Sequence, residues 1–151
     1  MMLRLTKIFH FEMAHAIYGY NGTCKNIHGH SYELHATVSS AIHTNDYIAA
    51  PGFAIDFKDI KVLVKNNIID YFDHKMILSR DFLSENSSIS LQENLLIREV
   101  EPTTENMLIY IMQVLHKKLP GELRLDQLKL YEPKESYAEW INEYTFNLSS
   151  V

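Results

Sequence analysis

The chain has 151 residues, of which 46% are apolar and 22% are charged. These proportions are typical of a globular protein, and we expect a single domain over residues 1–151. The formal net charge of −5 argues against a nucleic-acid partner. No apolar run reaches the roughly 18 residues of a membrane span, and the N-terminal residues lack the pattern of a signal peptide. We therefore expect no nucleic acid, no membrane segment and a cytoplasmic location.

The first two predicted elements are β-strands, because apolar and polar residues alternate along both of them. The first covers residues 3–15 and the second about residues 28–43, with turn-forming residues at 18–23 between them. One face of the first strand carries Phe9, Phe11, Met13 and His15. One face of the second strand carries His28, His30, Tyr32, Leu34, Ala36 and Val38.

Two helices are predicted further along the chain. Asp56 is a suitable N-cap for the first, and Asp59 follows three residues later, as in an acidic form of the capping box. Thr103 is a suitable N-cap for the second, where Glu105 lies near the positive end of the helix dipole. The first helix carries an apolar stripe of Phe57, Ile60, Leu63, Val64 and Ile68. The second carries Met107, Leu108, Ile111, Leu115 and Leu119.

The other segments complete the predicted topology. Residues 79–101 are ambiguous, since 84–90 have the composition of a loop while 95–100 are compatible with a short strand. Two further strands are predicted at about residues 127–132 and 137–148. The order strand, strand, helix, helix, strand, strand predicts an α+β fold. We expect a four-stranded antiparallel sheet with two helices on one face.

Three histidines form a candidate metal site. His15 ends the apolar face of the first strand, and His28 and His30 begin that of the second, so antiparallel pairing brings them together. Three neutral imidazoles with an open fourth position are the pattern of catalytic zinc. Alternatively Cys24, the one cysteine, completes a closed structural site. Structural zinc usually draws on more than one cysteine, which favours the catalytic interpretation.

Further groups are candidates for chemistry beside this metal. If Cys24 is not a ligand, a nearby cation favours its thiolate, which can accept a proton. Asp73 and His74 follow the first predicted helix and are a second candidate. Glu132 ends an apolar strand face, from which it can pair with a ligand that has adjacent N–H donors. Taken alone, an Asp-His pair and a strand-end glutamate are more typical of solvated surface.

Several short motifs resemble those of the 6-pyruvoyltetrahydropterin and 6-carboxytetrahydropterin synthase family, over essentially the whole chain. Each motif is short, but their order and separations together are specific. The motifs are Phe11-Glu12-Met13-Ala14-His15, Cys24-Lys25-Asn26-Ile27-His28-Gly29-His30-Ser31-Tyr32, Ile55-Asp56-Phe57, Phe72-Asp73-His74, Pro102-Thr103-Thr104-Glu105-Asn106 and Tyr131-Glu132.

The resemblance implies a T-fold, in which an antiparallel sheet is backed by two helices and trimers close a barrel and stack into hexamers. Active sites would lie between subunits. By matching motifs, zinc would be bound by His15, His28 and His30. Cys24 would move protons, opposed by Asp73 with His74, and Glu132 would anchor the pterin through its amino and ring N–H groups.

The expected substrate of this family is 7,8-dihydroneopterin triphosphate. The three residues between Cys24 and His28 resemble the spacing in bacterial 6-carboxytetrahydropterin synthases of the queuosine pathway. This implies a zinc-dependent lyase that forms 6-carboxy-5,6,7,8-tetrahydropterin and releases acetaldehyde and triphosphate. The alternatives are a 6-pyruvoyltetrahydropterin synthase, which eliminates triphosphate, and a non-catalytic pterin-binding protein. Pro133 departs from the family pattern, in which Thr usually follows the anchoring glutamate, and it supplies neither a hydroxyl nor an N–H.

Overall fold

A computed structural model describes residues 3–40 and 46–143. Six strands in these ranges form one sheet in the spatial order β4-β3-β1-β2-β5-β6. The strands are β1 (Arg4–His15), β2 (His28–Ser40), β3 (Lys75–Ser79), β4 (Leu95–Arg98), β5 (Leu123–Tyr131) and β6 (Tyr137–Ile141). The α+β class and the predicted strands at both ends of the chain are confirmed. The predicted strand residues 41–43 and 144–148 lie outside the described residues.

The expected four-stranded antiparallel sheet is wrong in two respects. The sheet of the described residues has six strands, and β3 pairs in parallel with both β1 and β4. The strand β3 is a short apolar run, which periodicity does not distinguish from a buried helical turn. The strand considered possible at residues 95–100 exists as β4.

Three α-helices lie between the strands of the described chain. Helix α1 (Phe57–Val64) begins at Asp56, whose side chain accepts a hydrogen bond from the backbone N–H of Lys58. It continues through a π-helical turn and a final turn that ends at Phe72. Helix α2 (Arg80–Glu85) and a following 3-10 turn occupy most of the segment that was expected to be loop.

Helix α3 (Thr104–Lys118) begins at the predicted N-cap. The Thr103 hydroxyl accepts a hydrogen bond from the backbone N–H of Asn106. The buried residues of α3 pack with those of α1 against one face of the sheet, whereas alternate residues on the other, open face of β1 and β6 are exposed. The core that joins the helices to the sheet includes Phe11, Tyr32, Leu34, Ile60, Val64, Ile68, Ile111, Leu115, Leu128 and Leu130.

Within the described ranges, no helix has the length and apolar character needed to cross a membrane. The cytoplasmic location stays a prediction.

Candidate metal centre and the groups around it

Pairing of β1 with β2 brings three imidazoles to one end of the core. The antiparallel register sets His15 opposite His28 and Met13 opposite His30. The ring centroid of His15 lies 4.6 Å from that of His28 and 5.3 Å from that of His30, and the latter two lie 4.8 Å apart. His15 is buried, whereas the other two are partly exposed. The strands therefore hold the three histidines expected from strand periodicity as one cluster.

Backbone carbonyls fix the orientation of two of these rings. The Nδ1 atom of His15 lies 2.8 Å from the carbonyl oxygen of Pro102, and that of His28 lies 2.7 Å from the carbonyl oxygen of Asn26. A carbonyl oxygen only accepts hydrogen bonds, so Nδ1 carries the proton in both rings. In the neutral tautomer each Nε2 atom then offers a lone pair to the cluster. Such outer hydrogen bonds are the usual support of metal-binding histidines.

Glu132, just past β5, joins the cluster as a fourth group. Its Oε1 atom lies 3.0 Å from Nε2 of His15 and 3.2 Å from Nε2 of His30. The Tyr32 hydroxyl donates to the same oxygen at 3.2 Å, and the Thr104 hydroxyl donates to Oε2. The Glu132 carboxylate is thus held from both sides with one oxygen turned toward the imidazoles.

The ionisation of Glu132 follows from these neighbours. Burial raises its pKa, but the neighbouring His15, Thr104 and His30 outweigh burial and lower the pKa to about 2. Burial lowers the pKa of His30, against the opposing influence of Glu132. Burial and the Glu132 carboxylate raise the pKa of the Tyr32 hydroxyl well above its usual value, so it remains a donor. At neutral pH Glu132 is therefore an ionised carboxylate that accepts hydrogen bonds from Tyr32 and Thr104.

The donor set fits a metal cation. One ligand atom from each of His15, His28, His30 and Glu132 lies within 4.8 Å of every other. Three of these pairs are 3.0–3.2 Å apart. The ligands of a tetrahedral zinc ion, with bonds of about 2.0–2.1 Å, are about 3.3–3.4 Å apart. A proton can bridge only one such pair, whereas one central cation satisfies all of them.

Cys24 lies in a 3-10 turn between the two strands. Its carbonyl oxygen accepts a hydrogen bond of 2.9 Å from the backbone N–H of Ile17, which ties the turn to the end of β1. The residue is half-buried. Cys24 therefore lies near the cluster, although its sulfur is not one of the four converging ligand atoms.

Asp73 and His74 form a corner that is attached to β1. The backbone N–H of Glu12 donates to Oδ1 of Asp73 at 2.9 Å, and the backbone N–H of His74 donates to the carbonyl oxygen of Glu12 at 2.7 Å. The Oδ2 atom of Asp73 lies 3.7 Å from Nε2 of His74. His74 has φ 57°, a left-handed conformation that is uncommon for residues other than glycine. Its side chain is 82% exposed.

Two clefts meet at His30. One, of about 840 Å³, extends over the open face of the sheet. The other, of about 350 Å³, reaches from His30 to His74 and Lys75. Cys24 lines neither of them. The larger cleft has the size of a small-molecule site, and its lining includes His10, Glu12, Tyr32, Glu33, Tyr131, Pro133 and Lys134.

Comparison with known proteins identifies the family. Residues 4–143 match the family model described as 6-pyruvoyl tetrahydropterin synthase. The chain belongs to this family. It is a pterin lyase of the 6-pyruvoyl tetrahydropterin synthase family, as the resemblance of its motifs implied.

Named relatives and a solved structure agree with this assignment. The chain is 30% identical to a 6-carboxy-5,6,7,8-tetrahydropterin synthase from Haemophilus influenzae, over 92% of this chain and 99% of the relative. It is 31% identical to a protein of the same name from Rickettsia typhi, over 91% and 99%. The solved structure of the 6-pyruvoyl tetrahydropterin synthase from Caenorhabditis elegans is 17% identical, with a TM-score of 0.64 and coverage of 93% of this chain and 96% of that one. At that identity the structure shows a shared fold alone.

Sequence reasoning did not find three of the groups that support this site. These are the Pro102 carbonyl, the Tyr32 hydroxyl and the Thr104 hydroxyl. Tyr32 was assigned to the core by strand periodicity, and the core does hold its ring. The Thr104 contact joins residues that are 28 positions apart, and the Pro102 contact joins residues 87 apart. No local pattern signals either one.

Proposed function

We propose that the protein is a zinc-dependent lyase that acts on 7,8-dihydroneopterin triphosphate. Its products would be 6-carboxy-5,6,7,8-tetrahydropterin, acetaldehyde and triphosphate, with water as co-substrate. The observation that carries the proposal is the convergence of His15, His28 and His30. Two of these rings are locked by backbone carbonyls with Nε2 directed inward. Such an array is suited to a catalytic metal rather than to packing.

The metal ligands in this proposal are the three imidazoles. Bound zinc supplies a Lewis acid that makes the hydroxyls of the substrate side chain more acidic. The Pro102 and Asn26 carbonyls keep His15 and His28 in the required tautomer, so neither ring has to reorient when a substrate enters. We propose a single domain over residues 1–151 that contains this centre.

Proton transfer is assigned to Cys24 and to the Asp73–His74 pair. A thiolate at Cys24 accepts a proton from the substrate side chain, since the turn that carries it adjoins the end of β1 next to the cluster. His74 accepts or donates a proton through its imidazole, and Asp73, whose Oδ2 lies 3.7 Å from Nε2, stabilises the charged form. Asp73 itself is fixed by the Glu12 backbone N–H, which gives the pair a rigid base on β1.

The pterin ring is assigned to the part of the larger cleft that is lined by His30 and Tyr32, whose side chains contact the anchor Glu132. An ionised carboxylate recognises the adjacent amino and ring N–H groups of a pterin through paired, charge-assisted hydrogen bonds. Pro133 lines the same cleft but offers no N–H, so the side chain of Glu132 carries the recognition without help from its neighbour's backbone.

A homo-oligomer completes the site in this proposal. His74 is largely exposed in one chain, whereas the histidine cluster lies at the end of the core. Closure of trimers into a barrel and stacking into a hexamer would place a second chain against His74 and the clefts beside it. The active sites would then lie between subunits.

The 6-carboxy product is favoured by the names of the two bacterial relatives and by the short spacing from Cys24 to His28. We therefore propose a role in queuosine biosynthesis. The alternative product, 6-pyruvoyltetrahydropterin, is favoured by the name of the matching family model. It retains all three side-chain carbons.

Product analysis separates the two. The zinc-loaded protein is incubated with 7,8-dihydroneopterin triphosphate under anaerobic conditions, and acetaldehyde is trapped as its hydrazone. We expect equal amounts of acetaldehyde and 6-carboxytetrahydropterin. A single pterin product with an intact three-carbon side chain and no acetaldehyde would assign the protein to the 6-pyruvoyl branch. Binding of the substrate without any product would leave only a pterin-binding role.

A further inference from the structure

The cluster contains more acceptor atoms than three histidines. Nε2 of His15 has no proton to give in the neutral ring, because Nδ1 holds it for the Pro102 carbonyl. Yet Oε1 of Glu132, an acceptor when ionised, lies 3.0 Å from this nitrogen. Nε2 of His28, also an acceptor, lies 3.1 Å from it on another side. Glu132 is therefore as close to His15 as the second histidine is, which is the arrangement of another metal ligand rather than of a neighbour.

Two hydroxyls keep the Glu132 carboxylate in this position. Thr104, in the first turn of α3, donates to Oε2, and Tyr32, on β2, donates to Oε1. Neither hydroxyl can replace the carboxylate as a charged ligand, but together they restrict its rotation. Glu132 is thus positioned toward the cluster from a rigid helix end and a rigid strand.

We propose that Glu132 is a fourth protein ligand of the metal while the pterin site is empty, and that a bound pterin removes it from the metal. The inference rests on the proposed function, because it assumes a metal at the three histidines and a pterin in the adjoining cleft. It adds that one carboxylate occupies two positions in turn.

Lone-pair counting explains why the two positions exclude each other. A carboxylate has about four acceptor sites, two on each oxygen. Oε1 uses one for the Tyr32 hydroxyl and directs the other into the cluster, so it has none left for a pterin N–H. A pterin that presents two adjacent N–H donors needs both oxygens and must draw Oε1 away. Glu132 would therefore leave the histidine cluster only when the pterin ring is seated, which is when the substrate side chain would reach the same place.

The first test measures zinc affinity with no pterin present. Zinc is titrated against a chromogenic chelator in the wild type, Glu132→Gln and the control Glu139→Gln. Glu139 is a carboxylate on β6 that pairs with Lys129 and lies outside the cluster. Loss of a supporting outer contact weakens metal binding by about 10–100-fold, and loss of a ligand should cost at least as much. We expect at least a tenfold loss for Glu132→Gln and no change for Glu139→Gln.

The second test uses the unmutated protein. Cobalt(II) replaces zinc, and its visible absorption is followed while unsubstituted pterin (2-amino-4-hydroxypteridine) is added. This probe has no side-chain hydroxyl to act as a ligand. We expect the spectrum to change as pterin binds, and chelator titration to show weaker metal binding in its presence. Saturation is checked independently by quenching of pterin fluorescence.

The outcomes separate the inference from the function beneath it. Equal zinc affinity of Glu132→Gln and wild type, or an unchanged cobalt spectrum at saturating pterin, would overturn the fourth-ligand role and leave the three-histidine centre intact. Unchanged zinc affinity in His28→Ala would instead overturn the metal centre itself.

Discussion

The histidine cluster and the Asp73–His74 corner lie at the same end of β1, yet the chain encloses them differently. Both ring nitrogens of His15 have partners within the chain, and the residue is 2% exposed. His74 is 82% exposed, and its carboxylate partner is 3.7 Å away. One chain therefore encloses the half of the site that we propose to bind metal, whereas the half that we propose to transfer protons is exposed. Mutations should affect the two halves through different observables.

The largest effect is expected from removal of a metal ligand. His28→Ala removes an imidazole whose Nε2 lies 3.1 Å from that of His15, and we expect zinc affinity to fall at least 100-fold and turnover to disappear. His116→Ala is the control, since His116 lies on α3 beside Trp140 and outside the cluster. Zinc content after gel filtration measures the effect. Full zinc occupancy in His28→Ala would show that the histidine cluster does not bind the metal.

The next effect distinguishes the catalytic thiol from a structural ligand. Cys24→Ala should fold, keep its zinc and lose about 10²–10⁴-fold in turnover, the usual loss when a general acid or base is removed. The measurements are zinc content, a melting curve and the steady-state rate. Release of zinc together with a lower melting temperature would show that Cys24 closes a structural site.

His74→Asn tests the exposed Asp73–His74 corner with a residue that can adopt the same backbone conformation. Asparagine tolerates the left-handed conformation that His74 adopts, so the corner should keep its shape while the imidazole is lost. We expect turnover to fall about 100-fold or more, with zinc affinity unchanged. A parallel loss of zinc would mean that the corner and the cluster form one structural unit and do not act separately.

The smallest effect should come from the positioning hydroxyl of Tyr32. Tyr32→Phe keeps the buried ring and removes one hydrogen bond to Glu132, worth about 0.5–1.5 kcal/mol. We expect zinc affinity to fall about two- to tenfold, less than for Glu132→Gln. Tyr47→Phe, at a fully exposed tyrosine, is the control. An affinity loss as large as that of Glu132→Gln would indicate damage to the core instead of a positioning role.

The same contrast explains what the sequence could predict. His15, His28 and His30 lie on long strands with a clear period of two, and antiparallel pairing of neighbours along the chain is the simplest arrangement of such strands. Their convergence therefore follows from local patterns. The strand β3, which follows His74, pairs in parallel with β1 through a crossover, and its short apolar run carries no periodic signal. The sheet was consequently predicted with too few strands.

Glu132 was only partly predictable from the sequence. Strand parity indicated that it ends an apolar face, but its contacts with Thr104 and the histidines join elements from distant parts of the chain. Such contacts depend on how α3 packs against the sheet, which residue patterns do not specify. The chemistry assigned to Glu132 from the resemblance was pterin anchoring, and only the geometry suggests a second role beside the metal.

The most direct test of the account is the zinc content of the unmutated protein. Metal-free protein is reconstituted with zinc, passed through a desalting column and measured by elemental analysis together with chain concentration. We expect about one tightly bound zinc per chain, because one cluster offers three imidazoles and a carboxylate. Protein that folds normally but retains no zinc after reconstitution would contradict it.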